Sequence, residues 1–255
     1  MNIKLKRKKT LTLRRIPLFR LWRRRFFQII RILVYVGFRL WLKKIYNFER
    51  LPQKGPAIIV SNHLSYYDWA VLSAVYWDRY LVFIGNKDLL NRPVVGWLMK
   101  LNILIFIDPA NPGLGFFKEA LKRLREGYIL VIYPEGTRSK TGKMLEPKSG
   151  FVKIAVKTGV PVIPLAMCGT YDILPHYQKT PSFRRCEIIV GEPMIINREN
   201  ELLKDIFKEN EILDEVAEKK IALKIMQLIR KTTKQEWDKE VSLKYKKFLK
   251  KNHAL

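Results

Sequence analysis

Short apolar runs alternate with segments of helical periodicity from about residue 57 onward. A bounded apolar run of four to eight residues indicates a buried strand, whereas apolar residues three and four apart indicate a helix. Strands are therefore expected at 57–60, 80–84, 103–107, 128–133, 160–167 and 186–190. Helices are expected at 68–77, 92–101, 116–126 and 151–157. This alternation predicts an α/β fold with a largely parallel central sheet flanked by helices.

The C-terminal part of the chain has a different pattern. After residue 197, charged amphipathic helices are expected at 201–230, with room for a break, and at 233–250. No internal repeat or low-complexity linker divides the chain. Residues 51–255 are therefore expected to form one domain, with a core over 56–193 and C-terminal helices over 198–251.

The most apolar segment, residues 26–42, follows a basic tract over residues 1–25. On a helical wheel its polar and basic positions recur at spacings of three or four and form one stripe, which comprises Arg24, Gln28, Arg31, Tyr35, Arg39 and Lys43. The remaining face is apolar and includes Phe26, Phe38 and Trp41. An apolar face with a basic border is typical of a helix in the membrane interface. Residues 1–50 are therefore expected to be an N-terminal amphipathic membrane-surface segment.

A transmembrane span and a soluble core helix are the alternatives for this segment. Its seventeen residues are at the lower limit for a span. Arg31 and Arg39 would each cost about 2.5–3.5 kcal/mol at the centre of a spanning helix. A soluble core helix would not need the basic tract that precedes this segment. A secretory signal would need a cleavage site of small residues after the apolar segment, and none follows here.

Composition and charge narrow the class of partner. The chain has 255 residues and a formal net charge of +26, which indicates an anionic partner, either nucleic acid or an acidic membrane. The first 50 residues hold 16 Lys and Arg against one acid and contain no nucleic-acid-binding motif. The charge therefore favours an anionic membrane surface over a specific nucleic acid. Cys168 and Cys186 lack disulfide or zinc-site spacing and are interpreted as buried thiols in a reducing compartment.

One polar stretch, residues 61–69, follows the expected strand 57–60 and contains His63 and Asp68. On one regular helix the two side chains would lie about 140° apart and could not meet. They can meet if His63 lies on the turn and Asp68 in the first helical turn, with Ser65 as the N-cap. A carboxylate bonded to one imidazole nitrogen leaves the other free to accept a proton, which describes a general base. A purely structural His–Asp bond is the alternative.

A second polar stretch, residues 134–139, follows the expected strand 128–133. Gly136 permits close backbone approach to a ligand. Arg138 carries a planar guanidinium that can form two parallel hydrogen bonds to phosphate oxygens. Glu135 is in a position to hold that arginine. The alternative is a polar turn capped by its own Thr137 and Ser139.

Together the two stretches resemble the 1-acylglycerol-3-phosphate acyltransferase family, the glycerolipid acyltransferases with NHxxxxD and FPEGTRS motifs. Here the motifs read Asn62-His63 with Asp68, and Tyr133-Pro134-Glu135-Gly136-Thr137-Arg138-Ser139. Residues 160–164 look like the fourth block of that family, and 191–193 are similar to its closing turn. The resemblance covers about residues 56–193.

The chain departs from the family pattern at two places. Tyr133 replaces the usual phenylalanine of the second motif, which keeps an aromatic ring there. Pro109 falls near the position where the family usually carries an arginine in its second block. Lys87, Arg92 and Lys100 are the candidates to supply that charge instead.

The resemblance implies transfer of a fatty acyl group from acyl-CoA or acyl carrier protein (acyl-ACP) to lysophosphatidic acid, giving phosphatidic acid in phospholipid biosynthesis. His63 would be the base and Asp68 its orienting group, whereas Glu135, Gly136, Thr137 and Arg138 would bind substrate. A backbone N–H near Gly136 would stabilise the oxyanion. No metal or cofactor is implied beyond the thioester co-substrate, and the expected location is the cytoplasmic face of the inner (plasma) membrane. Another lysolipid acceptor, such as lyso-ornithine lipid, and a non-catalytic lipid-binding protein are the alternatives.

Overall fold

The computed structural model describes residues 28–30, 32–76, 78–86, 96, 102–107, 113–209, 213–238, 241 and 243. The strands are Leu42–Tyr46 (β1), Ala57–Ser61 (β2), Leu81–Asn86 (β3), Ile103–Ile107 (β4), Ile129–Ile132 (β5), Val162–Cys168 (β6) and Cys186–Val190 (β7). The helices with both ends defined are Asp68–Val75 (α1), Gly113–Arg125 (α2), Gly150–Thr158 (α3), Thr170–Ile173 (α4), Lys204–Glu209 (α5) and Glu215–Thr233 (α6). The α/β fold is confirmed.

The strands form one sheet in the order β1-β7-β6-β2-β5-β3-β4. Strands β2 to β6 run parallel to one another, so the sheet is mostly parallel, as expected. Strand β7 runs antiparallel to β6, and β1 runs parallel to β7. Consequently β1 and β7 begin at the edge of the sheet where the five parallel strands end. We call this edge the carboxyl edge and the other one the opposite edge.

Both faces of the sheet are covered, which explains the uninterrupted apolar run of β2. Ile58 and Val60 point into a core shared with α2, α3 and α6. Ala57 and Ile59 point to the other side, where α1 and the aromatic side chains Phe38 and Trp41 pack. Packing on both faces therefore holds the ends of the strands in place. The turns that follow the strands begin from these fixed positions.

Two elements differ from the sequence-based expectation. Strand β1 was not expected, because a five-residue edge strand that pairs only with β7 and exposes Lys43 and Lys44 has no apolar run to reveal it. The helix expected at 233–250 does not begin at residue 233, since Lys234 adopts a left-handed conformation with φ of 56° that ends α6. Residues 235–238 instead form a non-helical strap. The helix expected at 92–101 lies outside the described residues, apart from Gly96.

Residues 28–30 and 32–38 are helical and are called the N-terminal helix, which continues into a short 3-10 turn at Arg39–Trp41. The expected polar stripe is partly wrong. Tyr35 is only 1% exposed and packs against Ala74, and Lys43 belongs to β1. Arg24, Phe26 and Arg31 lie outside the described residues.

The apolar face of the N-terminal helix is partly buried against the core and partly exposed to solvent. Phe38 and Trp41 pack against the core. Val34 packs beside Tyr35 and Ala74, whereas five other apolar side chains are exposed; they are Ile29, Ile32, Leu33, Val36 and, in the 3-10 turn, Leu40. Among the described residues, no helix has the length and hydropathy needed to cross a bilayer.

Candidate active site

His63 and Asp68 meet at the carboxyl edge. Strand β2 ends at Ser61 and α1 begins at Asp68, so His63 lies on the connecting turn and Asp68 at the first helical position. His63 Nδ1 is 2.7 Å from Asp68 Oδ2. Because a carboxylate only accepts hydrogen bonds, Nδ1 carries the proton and Nε2 is the nitrogen left to accept one. The arrangement is that of a base with its orienting group.

The same carboxylate oxygen organises the turn. Asp68 Oδ2 also accepts hydrogen bonds from the backbone N–H groups of Leu64, at 2.7 Å, and Ser65, at 2.9 Å. Asp68 is fully buried, and three donors on one oxygen offset the cost of burying its charge. The cap position of α1 is Tyr67 and not Ser65. The Ser65 hydroxyl nevertheless accepts a hydrogen bond from the Tyr67 N–H at 3.1 Å, and it donates to the Leu174 carbonyl at 2.8 Å.

Glu135 has a different role from the one expected. Its two carboxylate oxygens accept hydrogen bonds from the backbone N–H groups of His63 and Leu145, both at 2.8 Å. The Ser139 N–H in turn donates to the His63 carbonyl at 2.9 Å. Both backbone polar groups of His63 are therefore held by the second motif. Burial raises the pKa of Glu135 to about 8, against the opposing effect of its two backbone donors.

The ring of Tyr133 forms one wall beside the histidine. It stacks on the His63 imidazole with a centroid separation of 4.2 Å and an interplanar angle of 16°. Burial raises the pKa of the Tyr133 phenol well above its usual value, so the ring stays neutral. The tyrosine thus supplies the flat surface that a phenylalanine would supply in the family pattern.

Arg138 and Gly136 lie on the turn after β5. The Arg138 guanidinium stacks over the Tyr66 ring at 3.2 Å from its centroid, which fixes the arginine beside the histidine turn. Gly136 has φ of 68°, and a Cβ there would be 3.2 Å from Lys148 Cε. Thr137 is exposed on the same turn. The Gly136 N–H bonds the Tyr133 carbonyl at 2.9 Å, so the oxyanion donor expected near Gly136 is not that N–H.

Lys148 was missed by the sequence analysis. It lies nine residues after the end of the second motif, and its N–H donates to the Pro134 carbonyl at 2.9 Å, which places its side chain against Gly136. The site therefore has a second cation near Arg138. The three cations expected to replace the second-block arginine, Lys87, Arg92 and Lys100, lie outside the described residues, as does Pro109.

Gln235, on the strap after α6, was missed as well. Its Oε1 accepts a hydrogen bond from Asn62 Nδ2 at 2.8 Å, and its Nε2 donates to the Gly142 carbonyl at 2.7 Å. Asn62 also makes a paired interaction with the Met167 backbone, at 2.8 and 2.9 Å. The strap thus joins the residue before His63 to the loop after the second motif. No local pattern marks a contact between positions 173 residues apart.

The two cysteines lie at the carboxyl edge, Cys168 at the end of β6 and Cys186 at the start of β7. Both are free thiols, Cys186 buried and Cys168 half-buried. Burial raises the pKa of Cys186 to about 12 and raises that of Cys168 as well. Neither thiol is activated as a nucleophile.

Comparison with known proteins agrees with the site. The sequence profile of the acyltransferase family matches residues 43–168, a stretch that contains His63, Asp68 and the whole second motif. Residues 43–168 belong to the acyltransferase family. The chain is 34% identical over 134 residues to the chloroplastic 1-acyl-sn-glycerol-3-phosphate acyltransferase BAT2 of Brassica napus. That match covers 51% of this chain but only 38% of the length of the relative.

A bacterial relative is matched over more of its length. The 1-acyl-sn-glycerol-3-phosphate acyltransferase of Bacillus subtilis is 29% identical over 151 residues, which are 59% of this chain and 73% of the relative. Among solved structures, the 1-acyl-sn-glycerophosphate (LPA) acyltransferase PlsC from Thermotoga maritima superimposes with a TM-score of 0.61 at 24% identity. It covers 84% of this chain and 82% of that one, so the acyltransferase fold extends over most of the chain.

Proposed function

We propose that the chain is a 1-acylglycerol-3-phosphate O-acyltransferase, which moves a fatty acyl group from acyl-CoA or acyl-ACP to lysophosphatidic acid. The observation that carries the proposal is the His63–Asp68 pair at the carboxyl edge, held by the second motif through both backbone groups of His63. The activity for which the relatives are named supports the choice of acceptor. The product is phosphatidic acid.

His63 acts as the general base. An alcohol is a poor nucleophile at neutral pH, so Nε2 takes the hydroxyl proton while the hydroxyl oxygen attacks the thioester carbonyl carbon. The tetrahedral intermediate collapses by breaking the C–S bond, and the thiolate leaves with the proton that His63 held. Asp68 keeps Nδ1–H oriented and stabilises the imidazolium formed between these steps. No acyl-enzyme is required.

Arg138 and Lys148 bind the phosphate of the acceptor. Arg138 is held over Tyr66, and the Lys148 side chain lies against Gly136, so the two cations flank the turn that follows β5. A guanidinium grips two phosphate oxygens and an ammonium adds a point charge. Fixing the phosphate places the hydroxyl at His63, and such positioning supplies a large part of the acceleration.

The protein attaches to the membrane through its N-terminal helix. The exposed side chains of Ile29, Leu33 and Val36 enter the interface, and the basic residues of the N-terminal segment contact anionic lipid. The proposed location is the cytoplasmic face of the inner membrane, where acyl-CoA and acyl-ACP are available. An enzyme placed there takes lysolipid from the bilayer without extracting it into water.

The test is acyl transfer to lysophosphatidic acid by detergent-solubilised protein, with acyl-CoA and acyl-ACP offered in parallel. We expect phosphatidic acid from the wild type and roughly a thousandfold less from His63→Ala, the size of effect expected for a general base. Wild-type protein that is folded but inactive with both donors would contradict the proposal. Activity on lyso-ornithine lipid alone would assign a different acceptor to the same chemistry.

A further inference from the structure

The loop between β6 and β7, residues 169–185, lies at the carboxyl edge together with the end of the N-terminal helix. Strand β6 ends at this edge, whereas β7 and β1 begin there, with Leu42 paired to Cys186. The chain therefore leaves the N-terminal helix and enters β1 directly beside the point where it leaves this loop. The reversed direction of β1 and β7 is what brings the two together.

The loop exposes two aromatic side chains to solvent. Phe183 is 95% exposed and Tyr177 is 71% exposed, the two highest values among the exposed large hydrophobic side chains of the described residues. Single exposed apolar residues are common on protein surfaces, but an almost fully exposed phenylalanine buries little apolar area within the fold. A partner that buries the ring would account for its position.

Trp41 links the loop to the N-terminal helix. Its indole N–H donates to the Ser182 carbonyl at 2.8 Å. Its ring stacks on the Phe183 ring with a centroid separation of 6.2 Å and an interplanar angle of 8°. Leu40, the residue before Trp41, is 69% exposed. Trp41 therefore joins the end of the N-terminal helix, where Leu40 is exposed, to the part of the loop that carries Phe183.

Basic residues border these aromatic side chains. Arg184 and Arg185 directly follow Phe183, and Lys179 lies two residues after Tyr177; all three are exposed. The adjacent strand β1 adds the exposed Lys43 and Lys44. Among the described residues of the loop the single acid is Asp172. Exposed aromatic rings edged by cations match the chemistry of an anionic lipid interface, where the rings enter the headgroup region and the cations meet phosphate.

We infer that the β6–β7 loop is a second membrane-insertion element, in which Phe183 and Tyr177 enter an anionic bilayer beside the N-terminal helix. The inference rests on the membrane attachment proposed above and adds a contact point to it. It also relates the membrane to the chemistry. The Leu174 carbonyl of this loop accepts a hydrogen bond from Ser65 on the histidine turn, and the Tyr171 hydroxyl donates to the Lys140 carbonyl beyond the second motif. The loop therefore connects a bilayer surface to both motifs.

The test is sedimentation of the full 255-residue chain with vesicles of phosphatidylcholine and phosphatidylglycerol. We expect Phe183→Ser to weaken binding about tenfold, because one buried aromatic ring is lost. Arg184→Gln should weaken binding by about fivefold with these vesicles and should have little effect with phosphatidylcholine alone.

Matched controls come from the opposite edge of the sheet. Phe48 is also an exposed phenylalanine, but it follows the end of β1, and Lys54 is exposed in the loop that leads into β2. Phe48→Ser and Lys54→Gln should bind vesicles as the wild type does. If the wild type binds and Phe183→Ser binds equally well, or if Phe48→Ser is weakened as much, the loop is not an insertion element. If the wild type does not bind either vesicle, the membrane attachment itself is wrong, and the inference fails with it.

Discussion

Two loops at the carboxyl edge of the sheet are built in opposite ways. The histidine turn, residues 62–67, has buried or half-buried side chains and donates hydrogen bonds to Asp68, Glu135 and Gln235. The β6–β7 loop touches the histidine turn through Ser65 but exposes its aromatic and basic side chains. The difference follows from the tasks assigned to them: proton transfer needs one fixed geometry, whereas contact with a fluid lipid surface needs exposed apolar area.

The largest expected effect tests whether orientation of the imidazole matters. Asp68→Asn should lower kcat by about a hundredfold to ten-thousandfold, because an amide in this place can hold the imidazole in the wrong tautomer. KM for both substrates should change little. The measurement is steady-state acyl transfer in detergent, with circular dichroism as the check on folding. An unchanged kcat would make the His–Asp bond structural.

The second effect concerns the rigidity that Gln235 gives to the histidine turn. Gln235→Leu removes both hydrogen bonds of the side chain and should lower kcat by about tenfold, because a misplaced base loses most in the transition state. Gln235→Glu keeps the acceptor for Asn62 and should recover part of the rate. A rise in KM without loss of kcat would contradict a positioning role.

The neighbouring Glu236→Gln is the control for the strap. It removes an exposed ion pair with Lys143 and leaves the backbone bond from Met144 to the residue 236 carbonyl in place. Exposed pairs of this kind contribute little to stability. Its activity should therefore equal that of the wild type.

The protonation of Glu135, which holds the backbone of the histidine turn, should make the stability of the protein depend on pH. Its pKa in the folded protein, about 8, lies above the ordinary value of 4.5, so the folded state holds this proton more tightly than the unfolded state does. The stability contributed by the proton is complete below pH 4.5 and is lost as the pH rises to about 8. Glu135→Gln should remove that dependence, so the fall in Tm between these pH values should be smaller than in the wild type by roughly 10 °C.

The control for Glu135→Gln is Glu146→Gln, since Glu146 is a half-buried glutamate that pairs with Lys219 near the same loop. Its Tm should follow the wild-type pH profile over this range. If Glu135→Gln also follows the wild-type profile, the carboxyl group is ionised throughout, and its pKa is not raised.

A change in KM with little change in kcat tests the phosphate-binding role of Lys148. Lys148→Ala should raise KM for lysophosphatidic acid by about tenfold with a small change in kcat, because one charge contact to the acceptor is lost. Lys148→Arg should restore part of the binding. Lys157→Ala, at the far end of α3, is the control and should behave as the wild type. An equal rise in KM for an acceptor without phosphate would contradict the role.

The sequence predicted the parts of the molecule that are encoded locally. Apolar runs located six strands because each is bounded by polar residues. Helical geometry excluded a contact between His63 and Asp68 on one regular helix and left the turn and the following helix as an arrangement in which they can meet. The parts that were missed depend on distant residues. Glu135 bonds the backbone of a residue 72 positions away, and Gln235 reaches across 173 positions. Backbone donors and acceptors leave no signature in a sequence, and neither does an edge strand such as β1.

The state of the two native cysteines has a practical consequence for spectroscopy. Because burial raises the pKa of both thiols, neither presents a thiolate near pH 7. A cysteine introduced at the exposed position of Tyr177 would be the reactive one among the described residues. A polarity-sensitive fluorophore attached there would report, by a blue shift on addition of vesicles, how deeply the β6–β7 loop enters the bilayer.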